Sequence, residues 1–359
     1  MQLIRMKGKR LLLLAPILVL MGALLLPGGA AQAQSACVSN GAGGGLWSAP
    51  TTWLNCDGGI PNAVDDDATS VGDDIGTLDI AAAANRQVRD LAIDIGGTLN
   101  FNSGQLRITS DMTVNGTFDA AAGTSTAFNS AGLKTLSGAG DIQFAELRVT
   151  TNTLEVDGGT ALSVSENFQV LTRVNADSTS TVTFNGGTQL WDLDTGGFDI
   201  MQLGNVVIDA GSTVNTVGAG LTRYRISGNF TNNGTFDAQN DRIAFNTPTN
   251  NQIGGTGDTQ FDDLFVQLSA TLLPNTTIQI GGDMTFNGWS TADDPATVIF
   301  NGGGPSTITY NGNPNFNFYQ LDNLTVTNNT DLTLPNNATA RIGGDMTIDG
   351  GSTLTGADG

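Results

Sequence analysis

Residues 226–236 read ISGNFTNNGTF, and this stretch contains the features that decide the fold. It begins with an anchor motif: an apolar residue, two further residues, then Asn229 and Phe230. Apolar and polar residues alternate after the anchor, which predicts a β-strand with one buried face. Asn233-Gly234 then predicts a turn, because Asn and Gly tolerate positive φ. The stretch therefore predicts a strand, a turn and the start of another strand.

The anchor motif recurs five times along the chain at similar intervals. Its Asp or Asn positions are Asp111, Asn167, Asn229, Asp283 and Asp345. A second marker, Phe followed by Asn, comes at a nearly constant distance after each of the first four anchors, at Phe128, Phe184, Phe245 and Phe300. A third marker has an apolar residue three positions before Leu, at Phe144/Leu147, Ile200/Leu203, Phe261/Leu264 and Phe318/Leu321. Three markers in one register indicate an internal repeat of about 55–62 residues.

The repeat and the composition predict an all-β fold, a single-stranded parallel β-helix. The chain has 48 Gly but only three Glu and three Lys, so helix formers are scarce. The markers divide each repeat into three short pieces, none of which has room for a strand plus a helix. We expect about three coils per repeat and about 15 coils in all, each adding about 4.8 Å.

Stacked coils also suggest roles for the anchor residues. We expect the Met or Phe of each anchor to form an internal ladder, one above the next. We expect the Asp or Asn to lie at a turn and to bond to neighbouring backbone. Asp and Asn alternate at this position, which argues against metal binding, since a metal site favours carboxylates throughout.

The first 33 residues have the pattern of a signal peptide. Arg5, Lys7, Lys9 and Arg10 precede sixteen largely apolar residues, and Ala31-Gln32-Ala33 follows. The pattern predicts cleavage between Ala33 and Gln34, and so a secreted or cell-surface protein. The alternative is an uncleaved membrane anchor, but the apolar run is shorter than the roughly 20 residues that span a bilayer. No later run predicts a membrane span.

Cleavage leaves a strongly acidic chain. With 10 basic and 34 acidic residues, the chain after Ala33 has a formal charge of −24. Such a surface repels phosphate backbones and anionic lipid head groups, so we expect no nucleic-acid partner. Acidity of this kind keeps exported proteins soluble.

Residues 34–80 lack the repeat markers and are predicted to form an N-terminal cap, with the β-helix over residues 81–359. The chain's two cysteines, Cys37 and Cys56, predict one disulfide in an oxidising compartment. Carboxylates that could bind Ca²⁺ follow at Asp65, Asp66, Asp67, Asp73 and Asp74. They lack the spacing of a calcium loop, which favours a cap without metal and without any other cofactor.

Two further patterns carry a family resemblance. Trp47 to Trp53, Gly59, Pro61 and the Asp cluster resemble the start of exported bacterial β-helix proteins, and the domain family named for its eight glycines. Residues 102–359 resemble long bacterial surface proteins with units such as 228–236, GNFTNNGTF. The resemblance implies a right-handed parallel β-helix outside the cell or on its surface. These motifs form folds and are not catalytic.

The sequence contains acidic and aromatic residues that an enzyme acting on polysaccharides could use, but it assembles no catalytic motif. The candidates are Asp192 and Asp194 beside Trp191, Asp262-Asp263, Asp293-Asp294, Arg223 with Arg225, and Trp289. A hydrolase needs paired acids, and a lyase needs an Arg or Lys base with Ca²⁺ ligands. The absence of His excludes Ser-His-Asp triads and His-ligated metals. The chemistry stays open, with no catalytic residue assigned.

These observations favour a noncatalytic β-helical protein that presents an extended face for structural or adhesive contacts. The expected partners are an extracellular polysaccharide or the surface of a host or neighbouring cell. The first alternative is a lyase or glycoside hydrolase on the same scaffold, and the second is the passenger of an autotransporter. The chain ends just after the fifth anchor, which predicts a truncated reading frame.

Overall fold

The computed structural model describes residues 36–39, 47–56, 60–61, 67–70, 74–78, 85–193, 200–218, 223–246, 251–291, 295–311, 318–336 and 338–356. All of them belong to one unit, Gln34–Gly359. These residues form 42 β-strands and one 3-10 turn, Pro50–Thr52, and no α-helix occurs among them. Within these ranges, no helix is long and apolar enough to cross a membrane.

The strands are numbered in chain order. The first fourteen are β1 (Ala36–Ser39), β2 (Trp53–Leu54), β3 (Asp67–Ser70), β4 (Asp74–Leu78), β5 (Asn85–Val88), β6 (Leu91–Ile93), β7 (Thr98–Phe101), β8 (Gln105–Ile108), β9 (Met112–Val114), β10 (Thr117–Ala120), β11 (Ser125–Asn129), β12 (Lys134–Ser137), β13 (Asp141–Phe144) and β14 (Glu146–Thr151). The next fourteen are β15 (Thr153–Val156), β16 (Ala161–Val164), β17 (Phe168–Val170), β18 (Arg173–Ala176), β19 (Thr181–Phe184), β20 (Thr188–Leu193), β21 (Ile200–Leu203), β22 (Asn205–Ile208), β23 (Thr213–Val217), β24 (Arg223–Ile226), β25 (Phe230–Asn232), β26 (Thr235–Asp237), β27 (Arg242–Phe245) and β28 (Asn251–Gly254). The last fourteen are β29 (Asp258–Phe261), β30 (Asp263–Val266), β31 (Ala270–Leu272), β32 (Thr277–Ile280), β33 (Met284–Phe286), β34 (Trp289–Thr291), β35 (Thr297–Phe300), β36 (Pro305–Tyr310), β37 (Phe318–Leu321), β38 (Asn323–Val326), β39 (Asp331–Leu334), β40 (Thr339–Ile342), β41 (Met346–Ile348) and β42 (Thr353–Gly356).

Every third strand joins the same sheet, so three strands make one coil. Sheet A contains β1, β2 and every third strand from β3 to β42. Sheet B runs from β4 to β34, with β37 paired to β40, and sheet C runs from β5 to β41. The coils pair in parallel, which confirms the predicted parallel solenoid. The 13 strands of sheet C are separated by twelve steps of about 4.8 Å, about 58 Å in total, fewer coils than expected.

Alternation along the strands builds the core. Strands such as β16, β19 and β22 bury every second side chain and turn the others to solvent. Aromatic rings stack inside the coils, as in Phe118 with Phe144, whose ring centroids lie 5.3 Å apart. The sequence alternation therefore corresponds to an inner and an outer face, the pattern that a coil with a filled interior requires.

The long sequence repeat corresponds to eight strands, which is not a whole number of coils. The strand after the anchor is β9, β17, β25, β33 and β41 in the five copies, and these strands lie in sheets A, C, B, A and C. Eight strands make two and two-thirds coils, so each copy starts on a different sheet from the copy before it. The value is close to the expected three coils per repeat, but the predicted ladder of anchor Met and Phe residues is wrong, because successive anchors lie on different sheets. Met112, for example, lies between Leu91 and Leu136 in the stack.

The third marker is out of register in two of its four copies. Phe144 and Phe261 end the strands β13 and β29. Their equivalents, which end β21 and β37, are Leu203 and Leu321, whereas the sequence markers Ile200 and Phe318 begin those strands. The marker pattern matched by chance at the other end of the strand, because alternation places apolar residues at both ends.

The anchor Asp and Asn side chains bind the backbone of the following coil. The observed contacts are from Thr135 N to Asp111 Oδ1 (2.8 Å), Leu190 N to Asn167 Oδ1 (3.0 Å), Gln252 N to Asn229 Oδ1 (2.9 Å) and Thr307 N to Asp283 Oδ1 (2.8 Å). At the fifth anchor the contact to the preceding coil is observed instead: the backbone N–H of Asp345 donates to Asn323 Oδ1 at 2.8 Å. Each step needs only an acceptor oxygen, so Asp and Asn can alternate.

The N-terminal segment lies against the first coils. A disulfide joins Cys37 and Cys56, as predicted, with the Cα atoms 4.7 Å apart. The buried rings of Trp47 and Trp53 meet edge to face at 4.8 Å, and Trp47 Nε1 donates to Pro61 O. Strand β1 pairs in parallel with β3 and antiparallel with β2, at the edge of sheet A. Because β3 and β4 already belong to the sheets, parallel stacking begins before the expected boundary at residues 80 and 81.

Candidate functional site

The outer face of sheet A carries a concentration of arginine and amide side chains between β15 and β30. Strand pairing places Glu155, Asn175, Gln202, Arg225, Ala244 and Phe265 in one outward column. The intervening residues of these strands, such as Val174, Tyr224 and Ile243, point inward and are fully buried. Four of the ten basic residues after Ala33 lie on three of these strands: Arg173, Arg223, Arg225 and Arg242.

A continuous groove follows this column. It consists of three hollows of about 470, 180 and 220 Å³, and adjoining hollows share lining residues. Asn175 and Gln202 line the first and second hollows, Arg225 lines the second and third, and Asn246 lines the first and third. Six strands contribute, so the groove crosses five coil-to-coil steps, about 24 Å.

The two ends of the groove differ in charge. The 470 Å³ hollow is lined by Glu155, Asp157 and Asp177. The Thr179 hydroxyl and N–H donate to Asp177 Oδ1 at 2.6 and 2.8 Å, and these bonds hold the pKa of Asp177 below its usual range. At neutral pH Asp177 is therefore an anion and a hydrogen-bond acceptor, and it is not a proton donor.

The 220 Å³ hollow is basic and has an apolar floor. Ala244 points outward on β27 but is only 6% exposed, because the hollow is enclosed by larger side chains. Arg225 and Arg242 lie on one side, and Phe265 lies on the next coil. Arg242 Nη2 contacts Asp263 Oδ2 at 3.2 Å, which orients the guanidinium. We name this feature the Ala244 hollow.

Comparison with protein-family models, curated proteins and solved structures finds no match for this chain. The function must therefore be inferred from the site itself.

Carboxyl groups with raised pKa values lie outside the groove lining. Burial raises the pKa of Asp241, which lies just before β27 and is 1% exposed. Burial raises the pKa of Asp262 as well, and the nearby carboxylates of Asp263 and Asp241 add to this effect. A glycosidase needs a protonated acid within reach of its substrate. Neither residue lines the three hollows, so the groove is suited to binding.

The aromatic residues considered for sugar contact face the interior. Trp191 is fully buried, with its ring 5.0 Å from that of Tyr224, and Trp289 is 6% exposed. Neither can stack on a sugar at the surface. Asp192 points outward and accepts a hydrogen bond from Gln169 Nε2 at 3.0 Å. The predicted candidates Asp194, Asp293 and Asp294 lie outside the described residues, as does the Arg223 side chain.

The five Asp residues considered as calcium ligands are also largely outside the described residues. Asp65, Asp66 and Asp73 are not described, and of Asp67 and Asp74 only the strand positions are known. The predicted cleavage site at Ala33 and Gln34 lies outside the described residues too. In the part of the chain that the structure describes, no group of three or more Cys, Asp or Glu side chains is placed to hold a metal ion. The cap without metal stays a prediction, with calcium binding at residues 65–74 as its alternative.

Sequence reasoning identified Arg223 and Arg225 but missed the rest of the groove. Neighbours in the outward column are unequally separated along the chain: the step from Arg225 to Ala244 is much shorter than the step from Asn175 to Gln202. Because the spacing varies from coil to coil, no fixed period brings these residues together in the sequence. The column can be predicted only if the number of residues in each coil is known.

Proposed function

We propose that this chain is a noncatalytic, exported or cell-surface β-solenoid that binds an extended extracellular polysaccharide along the sheet A groove. The observation that carries the proposal is the continuity of the groove across six strands. A linear polymer fits a shallow open groove about 24 Å long better than a compact metabolite does.

The lining groups suit the hydroxyl groups of sugars. Asn175, Gln202 and Asn246 provide amide donors and acceptors, and Arg173 and Arg225 provide guanidinium donors. The paired strands hold these side chains in place before the ligand arrives, which lowers the entropic cost of binding. Contacts of this kind are weak individually, and a long polymer gains avidity by engaging several molecules at once.

Export is supported by the signal-peptide pattern before Gln34 and by the disulfide between Cys37 and Cys56. The repeat-equivalent residues do not provide the binding face, because successive copies start on different sheets. The proposed face is instead a local feature of the middle coils.

The proposal is tested by affinity gel electrophoresis of the purified protein in gels containing neutral or uronate-rich polysaccharides. We expect at least one polysaccharide to retard the protein, and Asn175→Ala with Gln202→Ala to weaken the retardation about tenfold. The control is Asn215→Ala with Gln252→Ala, which removes outward amides from sheets C and B and should leave retardation unchanged. An absence of retardation throughout, or an equal loss in the control, would overturn the proposal.

The same polysaccharides test for catalysis. We expect no new reducing ends and no unsaturated products after incubation with the protein, with or without Ca²⁺. Robust depolymerisation would replace the binding function with that of a polysaccharide hydrolase or lyase.

A further inference from the structure

We infer that the Ala244 hollow is a subsite for a carboxylate-bearing sugar ring, such as a uronate unit of an acidic polysaccharide. This inference rests on the proposed function and goes beyond it by assigning the chemical class of one bound unit.

The hollow has room for a single sugar ring. Its volume is about 220 Å³, below the roughly 300–1,000 Å³ of pockets for drug-sized ligands. Ala244 creates this space, because the neighbouring positions in the column, Arg225 and Phe265, carry large side chains. A small residue between two large ones leaves a gap of about one coil spacing.

The charges of the hollow favour a carboxylate. Arg225 and Arg242 are diagonal neighbours on adjacent strands, so two guanidinium groups line one hollow of an otherwise strongly acidic chain. Guanidinium groups bind planar carboxylates through paired N–H donors. Asp263 engages Arg242 through Nη2 and keeps that side chain beside the hollow.

The remaining walls favour a sugar ring over a simple anion. Phe265 points outward on β30 and gives the hollow an aromatic wall, which suits the C–H face of a pyranose. Gln267 and Asn246 bring amide groups to the rim. Asn246 Nδ2 contacts Gln202 Oε1 at 3.4 Å, while Asn246 Oδ1 is buried and has no hydrogen-bond partner among the described residues.

The inference is tested by titrating the protein calorimetrically with a polyuronate oligosaccharide, with the same oligosaccharide after reduction of its carboxyl groups, and with a sulfated neutral oligosaccharide. We expect the uronate to bind at least tenfold more tightly than the carboxyl-reduced form, and the preference to weaken as salt rises. Arg225→Gln with Arg242→Gln should abolish the preference. Arg148→Gln, which removes one charge from sheet C, should preserve it.

A second variant tests the shape of the hollow without changing its charge. Ala244→Leu fills the floor from an outward position and should lower uronate affinity about tenfold, while Thr285→Leu, on the same column two coils later, should not. Circular dichroism checks folding, and we expect both variants to give the wild-type spectrum.

The outcomes separate the two proposals. Equal affinity for uronate and carboxyl-reduced oligosaccharides overturns the subsite and leaves the polysaccharide-binding function in place. Tighter binding of the sulfated form than of the uronate assigns the hollow to sulfate and overturns the carboxylate assignment. Failure of every oligosaccharide and polysaccharide to bind overturns both proposals.

Discussion

At several glycines one coil approaches the next too closely for any side chain, and two of them, Gly138 and Gly255, also have positive φ. Gly138 has φ +121°, and a Cβ placed there would lie 1.9 Å from Val114 O. Gly255 has φ +110° and the same 1.9 Å approach to Asn232 O. These glycines follow β12 and β28, which are sixteen strands or two long repeats apart. The same close approach therefore occurs at equivalent positions two repeats apart, and it explains part of the glycine content.

We expect Gly138→Ala to lower the free energy of unfolding by more than about 3 kcal/mol, because the new Cβ meets backbone that cannot move aside, in addition to the cost of about 1–2 kcal/mol for a left-handed backbone. Gly123→Ala separates the steric cost from the cost of the left-handed backbone. Gly123 has φ +79° but no atom within 4 Å, so only the backbone cost applies. Gly187→Ala, with open space and no positive φ, should change stability by less than about 0.5 kcal/mol. Urea unfolding ranks the three, and equal losses at Gly138 and Gly123 would contradict the steric explanation.

The buried carboxyl group of Asp241 predicts a pH dependence of stability. Burial raises its pKa, and the nearby Thr216 hydroxyl opposes this only in part, since it donates to Ala238 O at 2.7 Å. The folded state therefore favours the protonated acid. Its stabilising contribution is complete below the unfolded pKa of about 3.9 and is lost as pH rises through the higher folded pKa.

Asp241→Asn has the shape of the protonated acid but cannot ionise, so the variant does not lose stability as the pH rises. We expect the variant to match the wild type near pH 3 and to be more stable by about 1–3 kcal/mol at pH 7, the cost of a buried polar group without full compensation. Denaturant unfolding at several pH values measures the difference. The exposed Asp209→Asn substitution serves as the control, and a difference that does not grow with pH would contradict the assignment.

At the scale of elements, side-chain oxygens connect one coil to the next at the turns that precede strands. The contacts to Asp111, Asn167, Asn229 and Asp283 lie on sheets A, C, B and A, and in each the side-chain oxygen accepts a backbone N–H from the next strand of the same sheet. Each donor N–H lies in a strand, and the acceptor residue lies just before the neighbouring strand, so the side-chain oxygen adds one hydrogen bond at the end of the ladder. The anchors were predictable from sequence as turn residues, although their arrangement around the coils was not.

Replacing Asp111 separates the hydrogen-bonding role from a metal-binding role. We expect Asp111→Asn to retain wild-type stability, because the amide oxygen still accepts from Thr135 N. We expect Asp111→Ala to lose about 1 kcal/mol, the net value of one hydrogen bond. Both results should be the same with Ca²⁺ or with a chelator. A loss in Asp111→Asn that depends on Ca²⁺ would indicate metal ligation instead.

At the scale of the whole molecule, the solenoid is a one-dimensional stack. Each coil contacts the coils directly before and after it, so stability is approximately a sum over coils and their interfaces. Aromatic packing is densest in the middle, where the Phe230 ring lies 5.2 Å from Phe236 and 5.8 Å from Phe261. These coils lie behind the proposed groove and hold its side chains in position.

We expect Phe230→Ala to cost about 3–5 kcal/mol in the coils around it, because it leaves a large cavity in a fully buried cluster. Hydrogen exchange measured by mass spectrometry should show faster exchange from β22 to β28, and little change in β7 and β10. Thr231→Ala, on the outer face of the same strand, is the control. A uniform increase in exchange along the whole chain would contradict the stacked, local character of the fold.

The sequence by itself determined the class of fold. Alternating residues specify strands with one buried face, and Gly, Asn and Asp specify the turns between them, because both signals are local and depend on backbone sterics and side-chain burial. Two cysteines sufficed to predict the disulfide, since the sequence offers one possible pairing. The sequence showed the length of the eight-strand repeat, but it did not show that each copy starts on a different sheet from the copy before it.

Only the tertiary structure decided which residues stack. Coil length varies, so Gln202 stacks on Asn175 after a long coil, whereas Ala244 stacks on Arg225 after a shorter one. The groove and the Ala244 hollow exist because these unequal lengths bring six separate strands into one column. The physical reason is that stacking is set by backbone hydrogen bonds between coils, and turns of different length absorb the residues in between. No local sequence signal records that alignment.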